Sequence, residues 1–458
     1  MYRFLTILSC LLLVTACSDG PGDSLPAPKP TIDVTGVASD ALISNGSISL
    51  RQLGSSTVIA ETSTDDAGNY KFSGVEIAPG FHEFVLRGGH YTEEASGDDI
   101  YLGPEHELKA IAFLQDSSAA TVMITPATNI AAALMECKQG QGTDIQTAHS
   151  RAHSAISGLY GYNVLETKPA NITDAKNASA NITSSIQSGF IQAGRSQLVM
   201  EINEQNGREG HSLFSSIDLA MLQARDVRTD CRLDGIEQNS AGHDVQLTLG
   251  NYELSTETYR SEHGRGILAI AQTDNNRVGI QTIDLLSIAR LVSNNTEGIF
   301  GPSAPPSPID DEGPILTWEL TGSVFAGTEN VNLNVSDFVG VSSIQVSLDG
   351  ELLTELTGQP PYQFDINTVV LTDGSHELDF NMVDLMDNLT ETTVQITVDN
   401  SGPDVDLTSA TLVNSTEYHA MGTISDAHST VDGLTVNGVD AALNTDGTWS
   451  ADIELEAG

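Results

Sequence analysis

Val331-Asn332-Leu333-Asn334-Val335 puts every second side chain on one apolar face, and the same alternation returns in Ile344-Val346-Leu348, Leu378-Phe380-Met382 and Val394-Ile396-Val398. A period of two belongs to a strand with one buried face. Asp349-Gly350 and Asp373-Gly374 stand between these runs, where a tight turn needs residues that tolerate positive φ. About 85 residues of short strands at this pitch suit two antiparallel sheets packed face to face.

The pattern repeats. Gly313-Pro314 recurs as Gly402-Pro403 and Ser336-Asp337 as Ser425-Asp426 at one common offset. Asp349-Gly350 then corresponds to Asn437-Gly438, and Asp365-Ile366 to Asp452-Ile453, with small deletions between them. The first copy, residues 313–400, resembles bacterial Ig-like domains, above all in Asp384-Leu385-Met386-Asp387-Asn388 and in the closing Val398-Asp399-Asn400-Ser401-Gly402-Pro403. It lacks the Cys…Trp…Cys pattern of antibody domains. The second copy, residues 401–458, reads as incomplete, because counterparts of Leu378–Asp384 and Val394–Val398 would fall past Gly458. Leu434, Val436, Trp449 and Ile453 are then expected to lack cover, and the segment to be marginal without roughly 30–40 further residues.

Charge narrows the function. The chain carries 19 Lys and Arg against 62 Asp and Glu, a formal net charge of −43, and no Lys or Arg follows Arg290. A nucleic-acid partner requires cations to displace phosphate counterions, so that class is excluded. Unbalanced carboxylates attract divalent cations instead. Asp337, Asp384, Asp387 and Asp399 fall at strand ends or at the domain junction, where neighbouring loops could share a calcium ion; solvated loop acids are the competing reading.

Upstream lies a Pro-rich linker, residues 301–312, read as a semi-rigid hinge. Before it, residues 119–300 follow a helical period. Thr125-Pro126 is a helix start, Thr143 with Gln146 fits a capping box, and apolar residues recur at helical spacing through Ile186-Phe190-Ala193 and Ile217-Ala220-Ala224. Val245 to Leu254 reads as a short hairpin around Gly250-Asn251, with further helices near 256–271 and 282–292. The segment resembles the helical region of large bacterial Ig-repeat lipoproteins in Ile124-Thr125-Pro126-Ala127-Thr128, Asn163 and Asp226 to Gly235. Two of its features invite chemistry. His149 and His153 share a helix face, but Ser150 stands where a zinc protease needs glutamate, so a solvated pair beside the alanine stripe is expected. Asp230, Asp234 and Gly235 fit three calcium-loop positions, but Arg232 and Ala241 replace key ligands, which leaves capping and turn roles.

Residues 31–118 return to short strands. Gly36-Val37, Thr64-Asp65-Asp66-Ala67-Gly68-Asn69-Tyr70-Lys71-Phe72 and Pro79-Gly80-Phe81 resemble the carboxypeptidase regulatory-like domain, a prealbumin-like β-sandwich that is a structural or recognition unit in that family. The resemblance makes Asp65 and Asp66 turn residues. The fold class expected of the whole is therefore multidomain: a prealbumin-like β-sandwich, a mainly α-helical middle and C-terminal Ig-like repeats.

The N-terminus says where this assembly is tethered. Residues 1–17 carry Arg3, an apolar run and then Leu13-Val14-Thr15-Ala16-Cys17, a secretory signal whose end resembles the lipobox of bacterial lipoproteins. The resemblance implies a lipid on Cys17, and Ser18 resembles the outer-membrane-sorted members. Residues 18–30 are a Pro-rich tether. With Cys10 removed and Cys17 acylated, Cys137 and Cys231 remain in an oxidising compartment, so they are expected to pair. Gly22-Asp23-Ser24-Leu25 spells a hydrolase tetrapeptide, but a nucleophile in a tether has no oxyanion donors around it. The expected function is a non-enzymatic surface stalk or adhesin-like protein, anchored in the outer membrane by its lipid and binding a surface protein or glycan. The alternative is the anchor and spacer of a longer surface enzyme with its catalytic domain past residue 458.

Overall fold

The computed structural model describes residues 31–115, 119–208, 213–294, 298–300, 308–317 and 324–456. The expected signal sequence, Cys17, the expected tether and the linker residues 301–307 lie outside them.

Two sheets build the N-terminal sandwich. β1 (Thr31–Val37), β2 (Ser47–Gln52), β3 (Val58–Ser63), β4 (Asn69–Glu76) and β5 (Gly80–Arg87) are followed by the short pair β6 (His90–Thr92) and β7 (Asp99–Tyr101), then β8 (Glu107–Leu114) and β9 (Ala120–Thr121). The sheets have orders β4-β1-β9 and β3-β2-β5-β8. β9 pairs in parallel with β1 and lies past the expected boundary at residue 118. Asp65 organises the turn before β4 by accepting from the backbone N–H of Ala67 and Asn69, which is the turn role expected of it. Asp66 is exposed beside it.

Helices α1 (Pro126–Gly140), α2 (Ile145–Tyr160), α3 (Ser184–Gln205) and α4 (Ser216–Asp230) follow, then two small hairpins, β10 (Ile236–Gln238) with β11 (Asp244–Gln246) and β12 (Thr248–Leu249) with β13 (Tyr252–Glu253), and finally α5 (His263–Ala271) and α6 (Thr282–Ser293). Thr125 caps α1 as expected. The cap of α2 is Asp144, not the Thr143 of the expected capping box: its side chain accepts from Thr147 N–H. A carboxylate one residue later meets the same orphan donors and the positive helix end. Cys137 on α1 and Cys231 at the end of α4 form the expected disulfide, with Cα atoms 5.6 Å apart.

His149 and His153 differ from expectation. His153 is buried and His149 half-buried: α2 lies against the sandwich, the two imidazoles lie 4.3 Å apart with tilted planes, and His149 rests on Phe81 and approaches the Ile111 carbonyl at 3.1 Å. Burial, reinforced by His149, pushes His153 down to about 3. A helical period shows which face is buried but not that a second domain will cover the rim of that face.

The first Ig-like unit comprises β14 (Ile315–Thr317), β15 (Val324–Phe325), β16 (Thr328–Ser336), β17 (Val341–Leu348), β18 (Glu351–Thr357), β19 (Tyr362–Asn367), β20 (Gly374–Asp384) and β21 (Leu389–Val398). A sheet of order β14-β16-β19 faces one of order β15-β21-β20-β17-β18, and Val331, Leu333, Ile344, Val346, Phe380, Met382, Ile396 and Val398 fill the space between. The second unit has β22 (Asp404–Leu407), β23 (Glu417–Ser425), β24 (Thr435–Val436), β25 (Val439–Asp440), β26 (Ala442–Leu443) and β27 (Thr448–Glu454). Its β22-β23-β27 arrangement repeats β14-β16-β19, and Asn437-Gly438 takes the left-handed turn of Asp349-Gly350. Trp449 and Ile453, expected to lack cover, are buried. Val431, Leu434 and Val436 themselves pack against the Trp449 cluster, so a ribbon and its lead-in loop do the covering. That cluster has three buried members, Ala420, Ile424 and Trp449, against fourteen in the first unit. Val405 and Leu407 on β22 stay exposed.

One apolar core runs through Phe81 and Ile111 of the sandwich, the helices, Ile309 of the linker and Val339 of the first Ig-like unit. The part of the expected hinge that is described is therefore seated. Ile309 is buried, its carbonyl accepts from Arg265 Nε at 3.2 Å, and Gln272 Nε2 donates to the Phe338 carbonyl at 2.6 Å.

The interface of sandwich and helices also buries charge. Asp40, Glu93 and Glu94 are all enclosed with a single cation among them, Arg195, which donates to Tyr160 Oη at 3.2 Å. Both oxygens of Asp40 lack a hydrogen-bond partner. Glu93 accepts from Tyr91 Oη at 2.8 Å and from Ser216 N–H, the first residue of α4. Burial and then Asp40 push Glu93 up to about 7; burial, Asp40 and Glu93 raise Glu94 well above its usual range; burial raises Asp40 against the pull of Arg195. Acids raised on folding bind more protons in the folded state, so their contribution is complete below about pH 4 and is lost as pH climbs through 7. The buried histidines have the opposite sign and are silent above about pH 7, because they are neutral there in both states. As pH rises from 5 to 8 the melting temperature of the parent is therefore expected to fall relative to that of a Glu93→Gln, Glu94→Gln double variant, in which the histidine contribution is the same. Equal slopes in the two proteins would contradict this account.

Candidate functional site at the joints of the Ig-like units

Chemistry-bearing side chains gather where the first Ig-like unit meets the helices. Asp337 begins the turn after β16, Asp384 closes β20, and Asp310 arrives from the linker. One oxygen from each lies within 4.8 Å of the other two. Asp337 and Asp384 were visible in the sequence as strand-end acids. Asp310 was missed, because nothing in a Pro-rich linker indicates that it folds back onto a sheet end.

Each carboxylate is held by its own loop. Asp337 Oδ1 accepts from Val339 and Gly340 N–H, both at 2.9 Å. Asp384 Oδ1 accepts from Met386 and Asn388 N–H, and its Oδ2 from Asn388 Nδ2. The same Asn388 amide donates to the Asp310 carbonyl at 3.2 Å, tying linker to strand end. Asp310 Oδ1 accepts from Glu312 N–H, whereas its Oδ2 is enclosed without a partner. Burial, then Asp310 and Asp384, push Asp337 up to about 6. Burial, then Asp384, Asp311 and Glu312, raise Asp310.

The other expected ligands are elsewhere. Asp387 is an exposed turn residue with φ 69°. Asp399 follows β21 at the far end of the sandwich, roughly 30 Å away along a ten-residue strand. There it is 8 % exposed, with Oδ1 unpartnered, and its carboxylate faces Asp426. In the helical unit, Asp230 and Asp234 serve as turn caps, accepting from Arg232 and Ile236 N–H. Buried Asp226 accepts from Asp234 and Gly235 N–H, and burial raises it to about 8.

Residues 320–379 match the bacterial Ig domain. No curated protein matches the sequence. Among solved structures, fibronectin(III)-like modules of Clostridium thermocellum CbhA align at 22 % identity over 19 % of this chain and 99 % of that one, with a TM-score of 0.17. CopC from Methylosinus trichosporium OB3b aligns at 22 % identity over 19 % of this chain and 96 % of its own, TM-score 0.16. A tetra-tandem repeat from the extending region of a large adhesion protein aligns at 10 % identity over 93 % and 91 %, TM-score 0.18. Superpositions at such TM-scores fix neither an arrangement of units nor a ligand. The matched segment contains Asp337; Asp384, past residue 379, closes a strand, β20, that begins inside it. Asp310, before residue 320, lies outside the matched segment.

Proposed function

We propose that the chain is a lipid-anchored outer-membrane surface protein whose sandwich and helices form a base from which tandem Ig-like units project as a stalk or adhesive arm. The observation that carries this reading is the continuous core joining base to first unit. A packed joint transmits direction, so reach outward is built into the fold instead of depending on a loose linker. Cys17 supplies the anchor in this reading, in keeping with the lipobox-like sequence. Among the described residues no helix is long and apolar enough to cross a membrane. The reading places no catalytic step in this chain and assigns the contact with a surface protein or glycan to the acidic Ig-like arm.

Two measurements test it. In cells making the full chain with an epitope in the loop after Leu407, external protease is expected to remove the epitope from intact cells. Cys17→Ser is expected to release the protein from the outer-membrane fraction. An epitope accessible only after the outer membrane is opened would place the arm in the periplasm and reject surface display.

A further inference from the structure

We propose that a cleft on the outer face of the β4-β1-β9 sheet binds a sugar that carries a carboxylate, a hexuronate. Strand register builds its floor. Lys71, Thr35 and Thr121 stand opposite one another on β4, β1 and β9, so their side chains form a row about 10 Å long on one face of the sheet. All three are exposed, whereas Tyr70 and Met123 beneath are buried. β3 brings Thr62 and Ser63 to the cleft, with Thr62 Oγ1 donating to the Lys71 carbonyl at 3.1 Å. Lys168, from the loop after α2, closes the end at Asn69 and donates from Nζ to Asn69 Oδ1 at 3.1 Å. The volume is about 570 Å³, in the range of small-ligand sites.

The cleft inverts the sign of the chain. Two of the six lysines in the sequence border it against one acid, Asp65, in a protein of net charge −43. The cleft beside the linker, by contrast, is bordered by Asp310, Glu312 and Asp337. Asp65 is turned to its own loop: Oδ1 accepts from Ala67 and Asn69 N–H, and both oxygens accept from Asn69 Nδ2. Neither ammonium is locked. Lys168 meets a neutral amide oxygen, and Lys71 meets Asp33 at 2.9 Å in a pair whose side chains are 54 % and 46 % exposed; such surface pairs contribute little and exchange readily. Asn69 and Lys71 are two residues apart on β4 and face the same way. The Lys168 ammonium held at Asn69 therefore borders the same stretch of strand as Lys71, and the two can approach one carboxylate. The remaining lining suits the remainder of a sugar. The hydroxyls of Thr35, Ser63 and Thr121 each offer a donor and two lone pairs, and Thr62 offers acceptors, which matches ring hydroxyls that both give and accept hydrogen bonds. A phosphate is held best by the planar fork of arginine, and among the described residues no arginine lines the cleft. The site belongs to the base and does not rest on reading the arm as adhesive.

The test titrates sodium D-glucuronate into the full chain from Ser18 onward, with D-glucose as the sugar without the charge and acetate as the charge without the sugar. Binding is read by saturation-transfer NMR and calorimetry. Glucuronate is expected to bind with a dissociation constant on the order of 1 mM, as its few atoms allow, and glucose and acetate at least about tenfold more weakly. Lys71→Gln and Lys168→Gln should each weaken glucuronate about tenfold and leave glucose unchanged. Thr35→Val, which keeps the shape and removes the hydroxyl, should weaken glucuronate and leave acetate unchanged. Lys176→Gln, at an exposed lysine away from the cleft, should bind as the parent does. Both cleft lysines are exposed, so their variants are expected to melt with the parent, which separates loss of binding from loss of fold. Absence of glucuronate binding in the parent would overturn the proposal, as would an affinity unchanged in both lysine variants. Acetate binding as tightly as glucuronate would make the cleft a simple anion site, and glucose doing so would remove the role of charge; either result rejects the hexuronate.

Discussion

Replacing Arg195 with methionine is expected to lower the stability of the base by about 3–5 kcal/mol, the cost of leaving buried charge without its counter-ion. Arg195 is 1 % exposed, approaches Tyr160 Oη, and opposes the rise that burial imposes on Asp40. Three acids surround it, so its removal leaves them only protonation as a route to neutrality. The loss should therefore be largest at alkaline pH and should shrink toward pH 5, where protons do what the guanidinium did. A companion Arg195→Met, Asp40→Asn variant should recover part of the loss. Chemical unfolding of both proteins at pH 5 and pH 8.5 decides the matter: a loss independent of pH would mean that Arg195 contributes through packing alone.

Opening the disulfide should cost nearly as much. Cys137 and Cys231 are separated by 94 residues, and a loop of that order contributes roughly 4–5 kcal/mol on the chain-entropy model, with measured values often smaller. Backbone geometry adds a distinction between variants. Cys231 terminates α4 in the left-handed conformation, φ 67°, which costs a residue with a Cβ about 1 kcal/mol relative to glycine. Cys231→Gly should therefore retain about 1 kcal/mol more stability than Cys231→Ser, although both lack the bridge. Equal denaturation midpoints for the two would show that the bridge, not the local turn, sets the conformation at residue 231.

These two cases mark what the chain discloses before it folds. The disulfide was legible from the count of cysteines and the oxidising compartment expected from the N-terminal sequence. The strands of the Ig-like units were legible because Val331-Leu333-Val335 and its relatives alternate without interruption. Arg195 was not legible: it stands mid-helix between Gly194 and Ser196, and only the docking of β6 and of the Asp40 loop onto α3 and α4 makes it a buried counter-ion. The same holds for His153, whose helix face was readable but whose second layer of cover belongs to another domain. At the joint, Asp337 and Asp384 could be found as acids at strand ends. Asp310 could not, since its position depends on Ile309 seating in the helical core. Asp387 resembled its neighbours in sequence but points to solvent, because a tight turn alternates its residues in and out. Periodicity reports neighbours along one element; contacts between domains leave no period to read.

The pairing of β15 with β21 has a mechanical consequence. These strands are the early and the last of the first Ig-like unit, and they run in parallel, with Val324 opposite Thr397 and Phe325 opposite Val398. Traction applied through the two ends of the unit pulls parallel neighbours along each other's length, so their hydrogen bonds are strained together in shear. An antiparallel pair pulled from one end would instead peel open one bond at a time. In the proposed arm, the first Ig-like unit is therefore expected to yield late and all at once when pulled along its length, at this short parallel seam.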